Sequence, residues 1–290
     1  MQIERIVIFY KRSTLDISKA SKKAIARDKV IQKAITNAHK DHYKSVQLLK
    51  KQLADCPYPV KVHQRGIGRL PKIKSTDLLI SLGGDGTFIY TSHFVSDNLL
   101  LGINSAPDSS VGFYCPVNLY ARDFDLVGLI ERIATGKKKP TVVHRIQVKV
   151  NKKTVGVPVL NDILLTETNP AITSRYRLQH GRKIESHKSS GIWISTATGS
   201  TAAYSSAGGK KFRQFNKTRK RQFGFRVREL YKEKGNSIIG GLVSEEEKFQ
   251  ITWAMPGGAI YFDGGYTSVP LKMSDLIEIE FHKHPLVTFL

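Results

Sequence analysis

Residues 77–95 read DLLISLGGDGTFIYTSHFV, and their order decides the fold. Asp77 to Leu82 is a short apolar run of the kind that forms a buried strand. Gly83, Gly84 and Gly86 follow at once, and Thr87 to Val95 can then open a helix. Strand, glycine loop and helix in that order aim free backbone N–H groups and the positive end of a helix at an anion, phosphate above all. Without Cβ atoms at 84 and 86, such a group can sit against the main chain. Asp85 is the unexpected residue, an acid inside a loop suited to anions. Two jobs suit it: holding Mg²⁺, or taking the proton from a hydroxyl about to be phosphorylated. An ordinary Asp-Gly turn is the plain alternative. The loop is not a Walker A sequence, because no Gly-Lys-Ser/Thr follows, and its spacing is not that of a dinucleotide fingerprint.

Working outward, Ile3 to Tyr10 reads as a buried parallel strand. A helix is expected from about Asp16 to Leu53, with Ile31, Ile35, Ala38, Val46, Leu49 and Leu53 along one face, lysines and arginines on the other, and Pro57 and Pro59 ending it. Val60 to His63 and Leu99 to Asn104 supply further strands. This alternation predicts an α/β domain with a Rossmann-like parallel sheet, its ligand beyond the carboxyl ends of the strands, where Asp85 lies. Residues 123–136 form an amphipathic helix ended by Gly136, and KKKP at 137–140 marks a boundary. Beyond Pro140 the pattern changes to strands separated by turns: Val142 to Val150, Val155 to Leu165, Arg175 to Leu178, Gly191 to Thr196, Phe249 to Trp253, Gly258 to Phe262 and Asp275 to Phe281. That is the signature of an all-β antiparallel sandwich. The expected domains are therefore 1–138, α/β with the GGDGT loop, and 139–290, a β-sandwich, with the extreme C-terminus free to return to the first.

The 290 residues are 40% hydrophobic, enough for a real core, and no apolar run approaches a membrane span. The start, MQIERIVIFYKRS, reads as a first strand and not a signal peptide. Cys56 and Cys115 have neither metal-ligand spacing nor a disulfide framework, which points to a reducing, cytoplasmic setting. The net charge of +22 gathers in residues 1–74 and in 210–228, where Lys and Arg interleave with Phe212, Phe215, Phe223 and Phe225. A solvated basic face and attraction of polyanionic small substrates such as nucleotides explain the second cluster equally well, with nucleic acid ranked below both.

Two further stretches carry chemistry. Ser189 to Gly209, SSGIWISTATGSTAAYSSAGG, runs from a strand into small and hydroxylated residues, among them Thr196, Thr198, Ser200, Thr201, Ser205 and Ser206. Such a stretch brings backbone close to a ligand and offers hydroxyls to phosphate or ribose oxygens, although a Ser/Thr-rich run is more often only a loop. Asn161-Asp162, inside the apolar VLNDILL, is a polar pair whose burial is costly unless satisfied, and ribose hydroxyls would satisfy it. Taken in this order, GGDGT, LND and STATGSTAAYSSAGG resemble the NAD kinase family over nearly the whole chain, from about Ile73 to Phe281. GGDGT alone is shared with lipid kinases and phosphofructokinases.

The resemblance implies an enzyme that transfers the γ-phosphoryl of ATP, with Mg²⁺ or another divalent metal, to the adenosine 2′-hydroxyl of NAD⁺ or NADH. It implies Asp85 as the base, with Gly84 and Gly86 at the phosphates and Thr87 among the nucleotide-binding residues. It puts Phe113 and Tyr114 against the adenine side, Asn161 and Asp162 on ribose and adenine groups, Thr201, Ala202 and Ser206 along the nicotinamide half, Asp263 near the ligand, and Thr198 among the nucleotide-binding residues. It also implies a homodimer or homotetramer. Two departures align the chain with the branch that includes plant NADH kinases. Ser189-Ser190-Gly191 stands where the family usually has Gly-Asp-Gly, and Thr201-Ala202-Ala203 where it has Thr-Ala-Tyr. Ser190 would then lie beside the nicotinamide ring without the usual carboxylate. A lipid kinase of the diacylglycerol kinase type and a basic nucleic-acid-binding protein are the competing readings.

Overall fold

The computed structural model describes residues 3–21, 27–108, 110–231 and 237–290. The chain divides into two compact units, one ending at Val142 and taking back Leu286–Leu290, the other formed by Val143–Pro285.

In chain order the first unit has β1 (Arg5–Tyr10), α1 (Thr14–Ala20), α2 (Lys29–Gln52), β2 (Val60–Gln64), β3 (Asp77–Gly83), α3 (Asp85–Ser92), β4 (Leu99–Asn104), β5 (Val117–Asn118), α4 (Leu126–Ala134) and β6 (Thr141–Val143). Strands β2, β1, β3 and β4 lie side by side and parallel, and β5 joins β4, also parallel. All of β3 and β4 is buried, as parallel strands covered on both faces must be. Ile6, Ile8, Leu78, Ile80, Leu101 and Ile103 pack with Val46 and Leu49 of α2 and with Leu129, Ile130 and Ile133 of α4.

The helix expected over 16–53 is two helices. Ser13 opens α1 with a capping box: its hydroxyl accepts the Asp16 N–H while Asp16 accepts the Ser13 N–H. After Ser21 closes α1, Asp28 opens α2 by accepting from the Val30 and Ile31 N–H groups. Residues 22–26, within the expected helix, lie outside the described residues. Only the second half of the expected apolar stripe is covered: Val46, Leu49 and Leu53 are buried, whereas Ile31 is 53% exposed.

The second unit has β7 (Ile146–Val150), β8 (Lys153–Val159), β9 (Asp162–Thr166), β10 (Ser174–His180), β11 (Lys183–Ser189), β12 (Ile192–Ser195), α5 (Ala203–Ser206), β13 (Gln222–Val227), β14 (Gly240–Ser244), β15 (Phe249–Trp253), β16 (Ala259–Phe262), β17 (Thr267–Pro270) and β18 (Leu276–Phe281). The last strand, β19 (Leu286–Thr288), pairs in parallel with β4 of the first unit. The second unit has two antiparallel sheets, ordered β11-β10-β15-β18-β7-β8 and β14-β13-β12-β9-β16-β17. They share one core, to which Tyr176, Leu178, Ile251 and Trp253 come from the first sheet and Ile163, Ile194, Phe225 and Ile260 from the second.

Two strands expected as continuous are broken. Val142 to Val150 divides before Ile146, and Val155 to Leu165 divides at Leu160-Asn161, which puts Asp162 first in β9. The basic run at 210–228 conceals β13, whose Phe223 and Phe225 are core residues and so cannot stack on bases. Lys220 and Arg221 pair with Glu246 and Glu245, leaving Lys217 and Arg219 as the exposed cations of that turn. Among the described residues no helix is long and apolar enough to cross a membrane.

Candidate active site

The glycine loop follows β3 directly. Gly84 is the N-cap of α3 and has no side chain to cap it. Thr87 N–H turns back to the Gly84 carbonyl at 2.9 Å, while the Asp85 and Gly86 N–H groups find no acceptor among the described residues. These are the free donors of a helix start. Gly83 is required by space: a Cβ there would lie 2.3 Å from the Thr87 hydroxyl oxygen. Thr87 itself is buried, so it packs the turn and does not face outward.

Asp85 is held from a distance in sequence. Its carboxylate accepts the N–H groups of Phe113 at 3.1 Å and Tyr114 at 2.8 Å. Those donors arrive because the loop after β4 is pinned: Ser105 N–H donates to the Gly83 carbonyl at 3.1 Å, and the Asn104 side chain donates to Ser110 O at 2.9 Å and accepts from Ala106 N–H at 3.0 Å. Gly112 turns the loop at φ +58, where a side chain would strike Asn104. Two N–H donors fix the carboxylate and leave its remaining lone pairs available. Of the aromatic pair, Phe113 is 53% exposed, whereas the Tyr114 ring is 2% exposed and stacks on Phe88 with centroids 5.1 Å apart. Only Phe113 offers a ring to a ligand in this arrangement. Burial, then the charge of Asp85, pushes the neighbouring Cys115 thiol up to about 12, which keeps it protonated and inert.

In the second unit, Asp263 follows β16 at φ +50 and clamps the turn before β9. Its carboxylate accepts N–H groups from Leu160 at 2.9 Å, Asn161 at 2.7 Å and Asp162 at 3.1 Å. Asp263 is thus a brace for Asn161 and Asp162, a role that the sequence does not announce. Asp162 is buried, and no donor among the described residues reaches its carboxylate. Burial, with the charge of Asp263 second, raises its pKa to about 7.

The hydroxylated stretch packs against the same turn. A Cβ on Gly199 would meet the Asn161 carbonyl oxygen at 2.1 Å. The hydroxyls of Thr196 and Thr198 both donate to the Leu160 carbonyl, at 2.5 and 3.1 Å, and Ser200 donates to the Ala197 carbonyl at 2.6 Å. The protons expected for a ligand at these three positions are therefore engaged by the main chain. Thr201 and Ser206 are exposed and Ala202 is half-buried. Ser190 is not part of this group. Ser195 pairs with Asp162 across β12 and β9, whereas the Ser190 carbonyl accepts the Thr166 hydroxyl at 3.1 Å, at the opposite end of β9.

Among the described residues no three His, Cys, Asp or Glu side chains gather to hold a metal. Mg²⁺ commonly takes one or two carboxylates plus substrate phosphates, not a full protein cage. The glycine loop, with Asp85 as its carboxylate, fits an ion carried in on a nucleotide.

No family model matches the chain. The chain is 31% identical over 229 residues to the Oryza sativa subsp. japonica protein named "Probable NADH kinase", covering 71% of this chain and 69% of that one. It is 30% identical over 275 residues to the Arabidopsis thaliana NADH kinase, covering 87% and 84%. The crystal structure of an NAD kinase from Archaeoglobus fulgidus in complex with ATP matches the fold with a TM-score of 0.63 at 18% identity, covering 99% of this chain and 93% of that one. With glycine loop, braced Asn-Asp turn and Thr-Gly-Ser-Thr stretch in one chain, and relatives matched over most of their length, the protein is a member of the NAD(H) kinase family.

Proposed function

We propose that the chain moves the γ-phosphoryl of ATP to the adenosine 2′-hydroxyl of NAD⁺ or NADH. The observation that carries this reading is the Asp85 carboxylate, fixed by two backbone N–H groups beside the uncapped start of α3. In this reading Asp85 accepts the hydroxyl proton as that oxygen bonds to the γ-phosphorus and ADP departs. The free N–H groups of Asp85 and Gly86 take phosphate oxygens, and Gly84 keeps the approach open. Mg²⁺ carried in on the phosphates would offset the charge of the triphosphate. Phe113 would pack against the adenine, and Asn161 and Asp162 would bind ribose and adenine groups. The exposed Thr201 and Ser206, with Ala202, would line the nicotinamide half.

The NAD(H) kinase relatives and the ATP-bound neighbour support the substrates. A homodimer or homotetramer, as the resemblance implies, belongs to the same reading. We place the reaction in the cytoplasm. The test is a coupled assay for NADP(H) formation with ATP, other triphosphates and polyphosphate as donors and with NAD⁺ and NADH as acceptors. Formation of NADPH or NADP⁺ from ATP and Mg²⁺ is expected; no product with any pair would defeat the reading.

A further inference from the structure

We propose that Lys11 is a phosphate-binding residue of the glycine-loop site and takes the terminal phosphates of the donor nucleotide. This rests on the kinase reading above, and it comes from a cation that the first unit leaves unexplained. Strand β1 ends at Tyr10, which pairs with Leu82 in β3, so Lys11 runs alongside Gly83, one residue before the loop. Lys11 is half-buried, and among the described residues no carboxylate pairs with it and no acceptor bonds its ammonium. Burial alone lowers its pKa, with nothing opposing. An unpaired, partly desolvated ammonium is costly, and its place at the carboxyl end of a parallel sheet is where such folds bind ligands.

The surroundings are arranged around that position. His42 on α2 is fully buried and donates Nε2–H to the Lys11 carbonyl at 3.0 Å, while its Nδ1 accepts from the Ser105 hydroxyl at 3.0 Å. Burial first, and the Lys11 charge second, push His42 down to about 4, so the ring is neutral and serves as a fixed strut between the ends of β1 and β4. Ser45 adds a second tie by donating to the Ser105 carbonyl at 2.8 Å. Ser105 in turn is bonded to Gly83, so one buried lattice sets both Lys11 and the loop.

Two further cations share this end of the sheet. Arg12, next in sequence, has a buried Nε with no partner and reaches Asp16 O with Nη2 at 3.2 Å. Arg65, just past β2, lies over the Tyr90 ring at 4.2 Å, with Nη1 3.5 Å from the Gly86 carbonyl. The only acid in the loop, Asp85, already accepts two N–H groups. Cations beside free N–H donors suit a polyphosphate, and a lysine contributes there as a point charge.

The experiment compares wild type, Lys11→Met and Lys11→Arg. Inorganic tripolyphosphate is titrated calorimetrically with no dinucleotide present, and KM values for ATP and NADH and the ligand-free Tm are measured alongside. Lys11→Met should weaken tripolyphosphate about ten- to a hundredfold and raise the KM for ATP similarly, the weight of one charge-assisted contact. The KM for NADH should move less than about twofold and the ligand-free Tm should hold or rise, because the variant removes an unpaired half-buried charge and keeps the stem. Lys11→Arg should retain most of the affinity. A packing-only lysine would instead give a lower Tm with tripolyphosphate affinity unchanged, and that result overturns the proposal. So does a wild type that fails to bind tripolyphosphate. The titration needs no turnover, so a chain inactive on NAD(H) would defeat the kinase reading while the titration still decides the role of Lys11.

Discussion

At the glycine loop the protein offers donors: among the described residues the Asp85 and Gly86 N–H groups find no acceptor, and the one carboxylate is already held by Phe113 and Tyr114. At the turn before β9 it offers an acceptor. There the Thr196 and Thr198 hydroxyls are bonded to the Leu160 carbonyl, and among the described residues no donor reaches the Asp162 carboxylate. Phosphate oxygens can only accept hydrogen bonds, whereas ribose hydroxyls and an adenine amine can donate them. Under the proposed function, that difference suits phosphate at the first region and the nucleoside at the second. It also distinguishes the acids: Asp85 and Asp263 are positioned by N–H groups, and Asp162 accepts none among the described residues.

The largest effect that would sharpen this contrast is on turnover. Asp85→Asn should lower kcat about 10²- to 10⁴-fold, the usual weight of a general base. The same change should reduce stability by about 1–2 kcal/mol, because an amide leaves either the Phe113 or the Tyr114 N–H without an acceptor. Coupled assays and urea unfolding read the two effects separately, and near-wild-type turnover would show that Asp85 is not the base.

Next comes the pH dependence set by Asp162. Its folded pKa of about 7 lies above the unfolded value of 3.8, so the folded state retains a proton that the unfolded chain releases. Stability should fall as pH rises from about 4 to 7, by up to about 4 kcal/mol. Asp162→Asn should abolish that slope and be the more stable protein at pH 8. Unfolding curves at pH 4.5, 6 and 8 check the sign; identical slopes in the two proteins would contradict it.

A smaller loss is expected from removing the brace. Asp263→Ala leaves three N–H groups without their carboxylate and should cost about 3 kcal/mol. It should raise the KM for NADH more than that for ATP. The smallest effect belongs to the exposed turn at 216–220. With Lys220 and Arg221 neutralised by Glu246 and Glu245, changing Lys217 and Arg219 to Gln should raise substrate KM no more than about twofold, and only at low salt. A larger change would return that segment to the list of binding elements.

Much of this was legible in residues 77–104, because buried strands, glycines and a helix start leave local marks. Ser13 and Asp28 were equally local signals for where α1 and α2 begin, but a continuous apolar spacing through Ile31 and Ile35 outweighed them. Strand β13 was hidden for a different reason: its alternating Phe223, Phe225 and Val227 sit among arginines, and charge drew the reading to the surface. The donors to Asp85 come from Phe113 and Tyr114, and the acceptor for Leu160, Asn161 and Asp162 comes from Asp263, about a hundred residues on. Backbone contacts at such separation leave no pattern in composition or periodicity, so Asp263 and Tyr114 read as ligand residues although one braces a turn and the other fills the core.

The contrast between the two regions is tested most directly by the ratio of ATP to NADH affinity in Asp162→Asn relative to wild type, measured by calorimetric titration at pH 8, where the wild-type carboxylate is charged. NADH binding should weaken about tenfold or more, the weight of hydrogen bonds to a charged group, while ATP binding stays within about twofold. Equal weakening of both ligands, or loss of ATP binding alone, would contradict it.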